Sequence, residues 1–234
     1  MRKIVLIFTL LCVFITPVAA RGTVALTFDD GPSDVSTHIL DALEEAGGHG
    51  TFFVLGDRCE NYPQILQRMV VGGHEIGGHS WGHARLTELG FPALHRDLNS
   101  TSRAIEEHSG APPTLLRPPF GAINQRLREA ANFPIIHWSI DSQDWRFCDQ
   151  LCPARGAEKC AQDVQQVVDD VLATVCDGDI ILMHDIFDFT QQAAVLLIQR
   201  LHEQGWQLVT VSELFAQRGI ALQPGEVYYH ARMA

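Results

Sequence analysis

Two pairs of residues early in the chain have the types and spacing of a metal site. Asp29 and Asp30 are adjacent, and His79 and His83 are four residues apart. Two imidazoles and one carboxylate make an open metal site, and a metal held there can polarise a carbonyl and activate water. Because neighbouring side chains on an extended chain point to opposite sides, the second carboxylate is available for another role. Each pair alone has an ordinary explanation, since two adjacent aspartates are usually a solvated turn and HxxxH matches easily by chance.

Other polar residues could complete a hydrolytic site. Hydrolysis of an acyl group needs a base for the attacking water and an acid for the leaving group. The second carboxylate and His184 are candidates for these roles. Arg117 and the segment Asp141 to Trp145 are further polar groups that directly follow apolar segments.

The apolar segments predict the elements that must position these residues. We predict strands at residues 23–27, 51–55, 74–77, 114–116, 135–140, 180–183 and 207–211, with helices between them at 35–46, from 63 to about 70, and at 92–108, 124–131, 164–175 and 191–203. This alternation indicates a parallel sheet, either a closed barrel or an open doubly wound sheet. No glycine-rich phosphate loop follows the first strand, which favours a barrel. The carboxyl ends of barrel strands would bring all the polar residues to one pocket.

Composition excludes several classes of protein. The chain has 234 residues, of which 46% are hydrophobic, and a net charge of -11. It can therefore bury a sizeable core, and an acidic chain without lysine or arginine clusters is not expected to bind nucleic acid. No linker or internal repeat is visible, so we predict one domain over residues 21–234.

Residues 1–20 are predicted to be a secretory signal. Arg2 and Lys3 precede an apolar stretch at residues 4–15, and Val18, Ala19 and Ala20 form a small-residue cleavage site. The stretch is shorter than the roughly 20 residues of a membrane span, which disfavours an uncleaved anchor, and a lipoprotein through Cys12 is also disfavoured. We expect an exported protein, in the periplasm, cell wall or medium, with no membrane span in the mature chain.

Five cysteines remain after this signal, namely Cys59, Cys148, Cys152, Cys160 and Cys176. Export permits disulfides, and an odd number leaves at least one cysteine outside any internal pair. The three cysteines between residues 148 and 160 could form a disulfide-pinned loop or a small zinc site. The absence of a CxxC pair favours the disulfide loop, and the sequence does not determine which cysteines pair.

Five segments, in order, resemble the polysaccharide deacetylase family, the NodB-homology domain of carbohydrate esterase family 4. They are TFDDGPS at residues 27–33, HSWGH at 79–83, RPPFG at 117–121, DSQDW at 141–145 and LMH at 182–184. The resemblance implies an α/β fold, a distorted, incomplete (β/α) barrel of about seven parallel strands. It also implies the metal-dependent removal of N- or O-linked acetyl groups from sugar polymers.

The resemblance also implies roles for individual residues. Asp29 would be the catalytic base, held ionised by Arg117, and His184 would be the general acid, with Asp141 as its buried partner. Asp30, His79 and His83 would bind one divalent ion, typically zinc and sometimes cobalt. The backbone N–H of Phe120 would stabilise the oxyanion, and the substrate-binding residues would be Pro119, Phe120, Trp145 and Leu182. Phe120 stands where tyrosine is frequent in the family, and Ser142 stands where threonine is common.

Three functions follow from these observations. The first is an exported N-deacetylase acting on N-acetylglucosamine units of peptidoglycan or chitin-type chains. The second is an esterase that removes O-acetyl groups from xylan or a similar polymer. The third is a noncatalytic glycan-binding protein. We expect an acetylated polysaccharide as the partner of a monomeric protein.

Overall fold

A computed structural model describes residues 21–147 and 156–233, in which strands and helices alternate along the chain. The elements are β1 (Gly22–Asp29), α1 (Asp34–Glu45), β2 (Thr51–Val54), α2 (Pro63–Val71), β3 (Glu75–Gly78), α3 (Phe91–Ser109), β4 (Leu115–Leu116), α4 (Gln125–Ala130), β5 (Ile135–Ile136), β6 (Ile140–Asp141), α5 (Ala157–Thr174), β7 (Ile180–His184), α6 (Asp188–Glu203), β8 (Trp206–Leu208), α7 (Val211–Gln217) and β9 (Val227–Tyr228). None of the described helices is both long enough and apolar enough to cross a membrane.

The strands form one curled parallel sheet that does not close. Their order is β6-β7-β1-β2-β3-β4-β5-β9, and β8 pairs with the beginning of β1. Every strand pair is parallel. Within the described ranges, β6 and β9 lie at opposite ends of this order and do not pair with each other. The predicted distorted, incomplete (β/α) barrel is therefore confirmed.

The sheet has nine described strands where the sequence predicted about seven. The predicted strand at residues 135–140 divides in two, because its halves pair at opposite ends of the strand order. His137 N donates to Tyr228 O on the β9 side, whereas Ser139 N donates to Ile180 O of β7. The chain thus passes from one edge of the open sheet to the other at residues 137–139.

The last elements also differ from the predicted ones. The strand predicted at residues 207–211 ends at Leu208. Thr210 is the N-cap of helix α7. Its hydroxyl accepts a hydrogen bond from Glu213 N, and the Glu213 side chain accepts one from Thr210 N. Such a capping box satisfies two backbone donors of a helix start and stops the strand. The short strand β9 was not predicted from the sequence.

Alternation along β1 separates the core from the interior of the barrel. Leu26 and Phe28 belong to the large cluster that includes residues of α1 and α6, whereas Ala25 belongs to a second cluster that includes Phe53 and Ile180. Because successive strand side chains point to opposite faces, Thr27 and Asp29 lie on the same side as Ala25. The polar residues of β1 therefore face the barrel interior.

The predicted cysteine loop lies partly outside the described residues, which do not include Cys148 and Cys152. Among the described cysteines, Cys59 and Cys176 carry free thiols, the first buried and the second exposed.

Candidate active site

The ends of two neighbouring strands bring the predicted base and acid together. Asp29 is the last residue of β1 and His184 the last residue of β7, and the two are paired in the strand register. Ile180 belongs to the second cluster, which faces the barrel interior. Leu182 and His184 follow at alternate positions of β7 and therefore face the interior as well. Asp29 and His184 therefore lie side by side at the carboxyl edge of the sheet.

Asp30, His79 and His83 form one cluster of potential metal ligands. Their three ligand atoms lie within 4.8 Å of one another. Asp30 Oδ1 is 3.4 Å from His79 Nε2 and 3.3 Å from His83 Nε2. The backbone turns sharply to achieve this, since Asp30 has φ 76° and His83 has φ 60°, both in the left-handed region. The two histidines come from a compact loop after β3.

Two observations show that this cluster fits a divalent cation. His79 Nδ1 bonds to the backbone carbonyl of Arg117 at 2.7 Å, which leaves Nε2 directed at Asp30 as a free ligand atom. Asp30 Oδ1 is buried and accepts no hydrogen bond from any residue in the ranges 21–147 and 156–233. Burial opposes the charge of Asp30, but the His79 imidazole and the other nearby histidines lower the pKa of this carboxyl to about 2. Two imidazole nitrogens and an ionised carboxylate suit zinc or a similar ion.

Arg117 binds the predicted base in the barrel interior. Its fully buried guanidinium donates to Asp29 Oδ1 at 2.8 Å and to Thr27 Oγ1 at 2.7 Å. Further hydrogen bonds go to the carbonyls of Ile136 and His137, and Cζ lies 4.2 Å from the centre of the Phe53 ring. The second Asp29 oxygen, Oδ2, is 3.8 Å from His79 Nε2. Asp29 is thus fixed by arginine on one side and faces the ligand cluster on the other.

The partner of His184 is Asp144, so the prediction that Asp141 is its partner is wrong. His184 Nδ1 bonds to Asp144 Oδ1 at 2.8 Å, and His184 N donates to Asp144 Oδ2 at 2.8 Å. Asp141 Oδ1 instead accepts from Gln143 N and from Trp145 Nε1. Gln143 has φ 58°, and this turn brings Asp144, at the start of a short 3₁₀ helix, to the end of β7.

The environment of His184 favours the imidazolium form. Burial alone would lower its pKa, but the hydrogen bond and charge of Asp144, with the charges of Asp29 and Asp30, raise the pKa to about 9. His184 therefore carries a proton at neutral pH and can donate it from Nε2.

The residues predicted to bind substrate differ in exposure. Phe120 and Trp145 expose 56% and 44% of their surface, whereas Leu182 exposes 4% and Pro119 is buried. The Phe120 ring meets His83 edge-on, with ring centres 4.6 Å apart. Two aromatic side chains are therefore accessible to a ligand, and one of them touches the ligand cluster.

Two buried polar residues of the site had no role assigned to them from the sequence. Thr27 receives a hydrogen bond from Arg117, and Asp185 accepts one from Ser36 Oγ. Burial and the charges of Asp30 and Asp29 raise the pKa of Asp185 to about 7. Strand alternation assigns Thr27 to the face of Asp29, and Asp185 directly follows His184 at the end of β7, whereas no pattern in the sequence indicates the partner of Asp185 on α1.

A comparison with known families is consistent with this geometry. Residues 18–133 match the family model described as polysaccharide deacetylase. The peptidoglycan-N-acetylmuramic acid deacetylase PdaC of Bacillus subtilis is 42% identical over 195 residues, which cover 83% of this chain and 39% of PdaC. This chain thus spans about two fifths of the length of that relative.

Solved structures show the same fold. A structure described as T48 deacetylase with substrate is 37% identical, with a TM-score of 0.78 over 91% of this chain and 99% of that one. A family 4 acetyl xylan esterase from Clostridium thermocellum, in complex with a cobalt ion, is 28% identical, with a TM-score of 0.79 over 90% of this chain and 100% of that one.

Proposed function

The chain belongs to the polysaccharide deacetylase family, and we propose that it is an exported, metal-dependent enzyme that hydrolyses N-acetyl groups of N-acetylglucosamine units in peptidoglycan or chitin-type chains. One observation carries this proposal. Two hydrogen-bonded pairs, Asp29 with Arg117 and Asp144 with His184, meet at the ends of adjacent strands, next to a ligand cluster that fits a divalent ion. The likeness to PdaC, whose name states that it acts on peptidoglycan, supports the choice of polymer.

We assign the metal to Asp30, His79 and His83, with zinc as the expected ion and cobalt as a substitute. When bound there, a divalent ion polarises the acetyl carbonyl and lowers the pKa of water. The unpartnered Asp30 oxygen and the free Nε2 atoms of the histidines support this assignment. The cobalt in the structure of the xylan esterase relative agrees with it.

Asp29 acts as the general base in this proposal. A carboxylate takes a proton from water only if it is ionised and correctly aimed. The Arg117 guanidinium binds Oδ1, which leaves Oδ2 available on the side of the ligand cluster. Arg117 thus positions the base and does not itself touch the substrate.

His184 protonates the departing amine. An amine is a poor leaving group, so amide hydrolysis needs a proton donor near the nitrogen. Asp144 keeps His184 protonated and fixes its ring, which makes Asp144 the positioning residue that the family resemblance had placed at Asp141.

The backbone N–H of Phe120 stabilises the oxyanion that develops on the acetyl oxygen. Phe120 has φ 62°, in the left-handed region, within the short 3₁₀ turn at Pro119–Gly121, and its ring lies against His83 of the ligand cluster. The exposed ring of Trp145 and the neighbouring Pro119 and Leu182 are proposed to surround the acetyl group and its sugar.

The test is acetate release, measured side by side on tetramers of N-acetylglucosamine, on peptidoglycan and on acetylxylan. We expect release from the N-acetylated substrates, its loss after exhaustive chelation and its return with zinc. Activity that survives complete metal removal would refute the mechanism. Because a relative is an acetyl xylan esterase, faster release from acetylxylan would instead establish the esterase function. Glycan binding with no turnover on any substrate would establish a noncatalytic protein.

Export and the loop disulfide are separate proposals. The predicted signal at residues 1–20 and a relative named for its action on peptidoglycan both support export. Intact-mass measurement of the exported protein should give a chain that begins near Arg21. Peptide mapping without reduction should show a bond within the Cys148 to Cys160 loop, with Cys59 free.

A further inference from the structure

A cavity of about 450 Å³ lies beside the loop that carries His79 and His83, and no catalytic role above uses it. Its size falls within the roughly 300 to 1,000 Å³ typical of small-ligand sites. The walls come from the 3₁₀ helix at Gly56–Asn61, from Trp81 and from α3. The side chains that could contact a ligand are Asp57, Glu60, Trp81, Ser100, Arg103 and Glu107.

Trp81 supplies a fixed aromatic surface in this cavity. Its indole packs on Gly56, where a Cβ atom would come within 2.6 Å of the ring. Gly56 N also donates to Ser80 O, and Asp57 N donates to Trp81 O. The indole nevertheless exposes 43% of its surface. A rigid ring that is held on one side and open on the other suits the apolar face of a sugar.

Four charged side chains of the cavity have no partner among the described residues. The side chains of Asp57, Glu60, Arg103 and Glu107 are exposed and make no ion pair or hydrogen bond with another described residue. The cavity thus contains three carboxylates, one guanidinium and the imidazole of His108. This excess of negative charge favours a cationic ligand and disfavours an anionic one.

We propose that this cavity binds a deacetylated stretch of the polymer, with its ammonium groups at the carboxylates and one sugar face on Trp81. The proposal rests on the proposed function, because deacetylation converts each neutral acetamido group into a basic amine, which becomes cationic when it binds a proton. The cavity would then hold the enzyme on product-rich chains while the catalytic site works on the acetylated units that remain. Such tethering raises the local concentration of substrate without any change at the catalytic site.

Calorimetric titration of the zinc-loaded enzyme with a glucosamine tetramer tests the proposal. The variant Asp57→Asn/Glu60→Gln/Glu107→Gln removes the three charges, and Glu106→Gln, at the neighbouring position of α3, is the matched control. We expect Kd to rise about tenfold in the triple variant and to stay unchanged in the control. Cellotetraose, which lacks amines, should bind more weakly than the glucosamine tetramer, and added salt should weaken glucosamine binding.

Three results would overturn the proposal: equal affinity of the triple variant and wild type, an equal loss in the control, or equal binding of cellotetraose and the glucosamine tetramer. Acetate release from the N-acetylglucosamine disaccharide separates this proposal from the proposed function. It should be the same in the triple variant and in wild type. Absence of release in both would refute the proposed function, whereas normal release with unaltered tetramer binding would refute only the cavity.

Discussion

Replacing Asp144 with asparagine should disable His184 at neutral and alkaline pH. The pKa of His184 is raised from 6.5 to about 9, and one pKa unit corresponds to 1.36 kcal/mol, so the charged form gains about 3 kcal/mol. Asp144 is the main source of this gain, because a bound cation would offset the charges of Asp29 and Asp30. Without it, burial should hold the pKa at or below 6.5, and roughly 3% of the imidazole would be protonated at pH 8.

The expected loss of kcat/KM in Asp144→Asn is therefore about thirtyfold at pH 8. The loss should shrink to a few-fold at pH 5.5, where even an unaided imidazole is protonated. Acetate release from the N-acetylglucosamine tetramer, measured from pH 5 to 10, checks both values. The alkaline limb should lie at a clearly higher pH in wild type than in the variant, in which it should fall below pH 7.

Asp141→Asn is the matched control, because it makes the same change within the same DSQDW segment. Its carboxylate accepts hydrogen bonds from Gln143 N and Trp145 Nε1 and has no hydrogen bond to His184, so we expect the alkaline limb to stay where it lies in wild type. The reasoning is refuted if Asp141→Asn moves the alkaline limb and Asp144→Asn does not.

Three further predictions address the other groups of the site. Arg117→Lys should lower the free energy of unfolding by about 3 kcal/mol in urea titrations, because one ammonium cannot replace a buried guanidinium with four acceptors, and an unchanged midpoint would contradict this. Asp30→Asn should weaken zinc binding at least tenfold in a competition titration, while the circular dichroism spectrum stays that of wild type. His184→Ala should reduce acetate release from N-acetylglucosamine tetramers more than release from acetylxylan, since an alkoxide leaves more easily than an amine, and equal losses would argue against His184 as the acid.

The sequence predicted the barrel because β–α alternation leaves a barrel or an open doubly wound sheet, and no glycine-rich phosphate loop follows the first strand. It also predicted which residues meet at the carboxyl edge, because parallel strand ends converge there and β1 and β7 carry Asp29 and His184. Asp144 escaped the prediction because its position depends on the turn at Gln143. The spacing within DSQDW does not show whether Asp141 or Asp144 is brought to His184 by the left-handed turn at Gln143. β9 escaped because two residues are too few to display a period.

The open edge of the sheet has a consequence for how activity is lost. Arg117 hydrogen-bonds the carbonyls of Ile136 and His137, beside β5 and its short edge partner β9. Edge strands with few pairs open at a lower free-energy cost than the centre of a sheet. Each opening of this edge would break the hydrogen bonds of Arg117 to these carbonyls and disturb its hydrogen bond to Asp29. Catalysis should therefore fail at denaturant concentrations at which the amides of β1 are still fully protected from exchange. Loss of turnover would then report the local opening of β5 and β9, which precedes the unfolding of the whole domain.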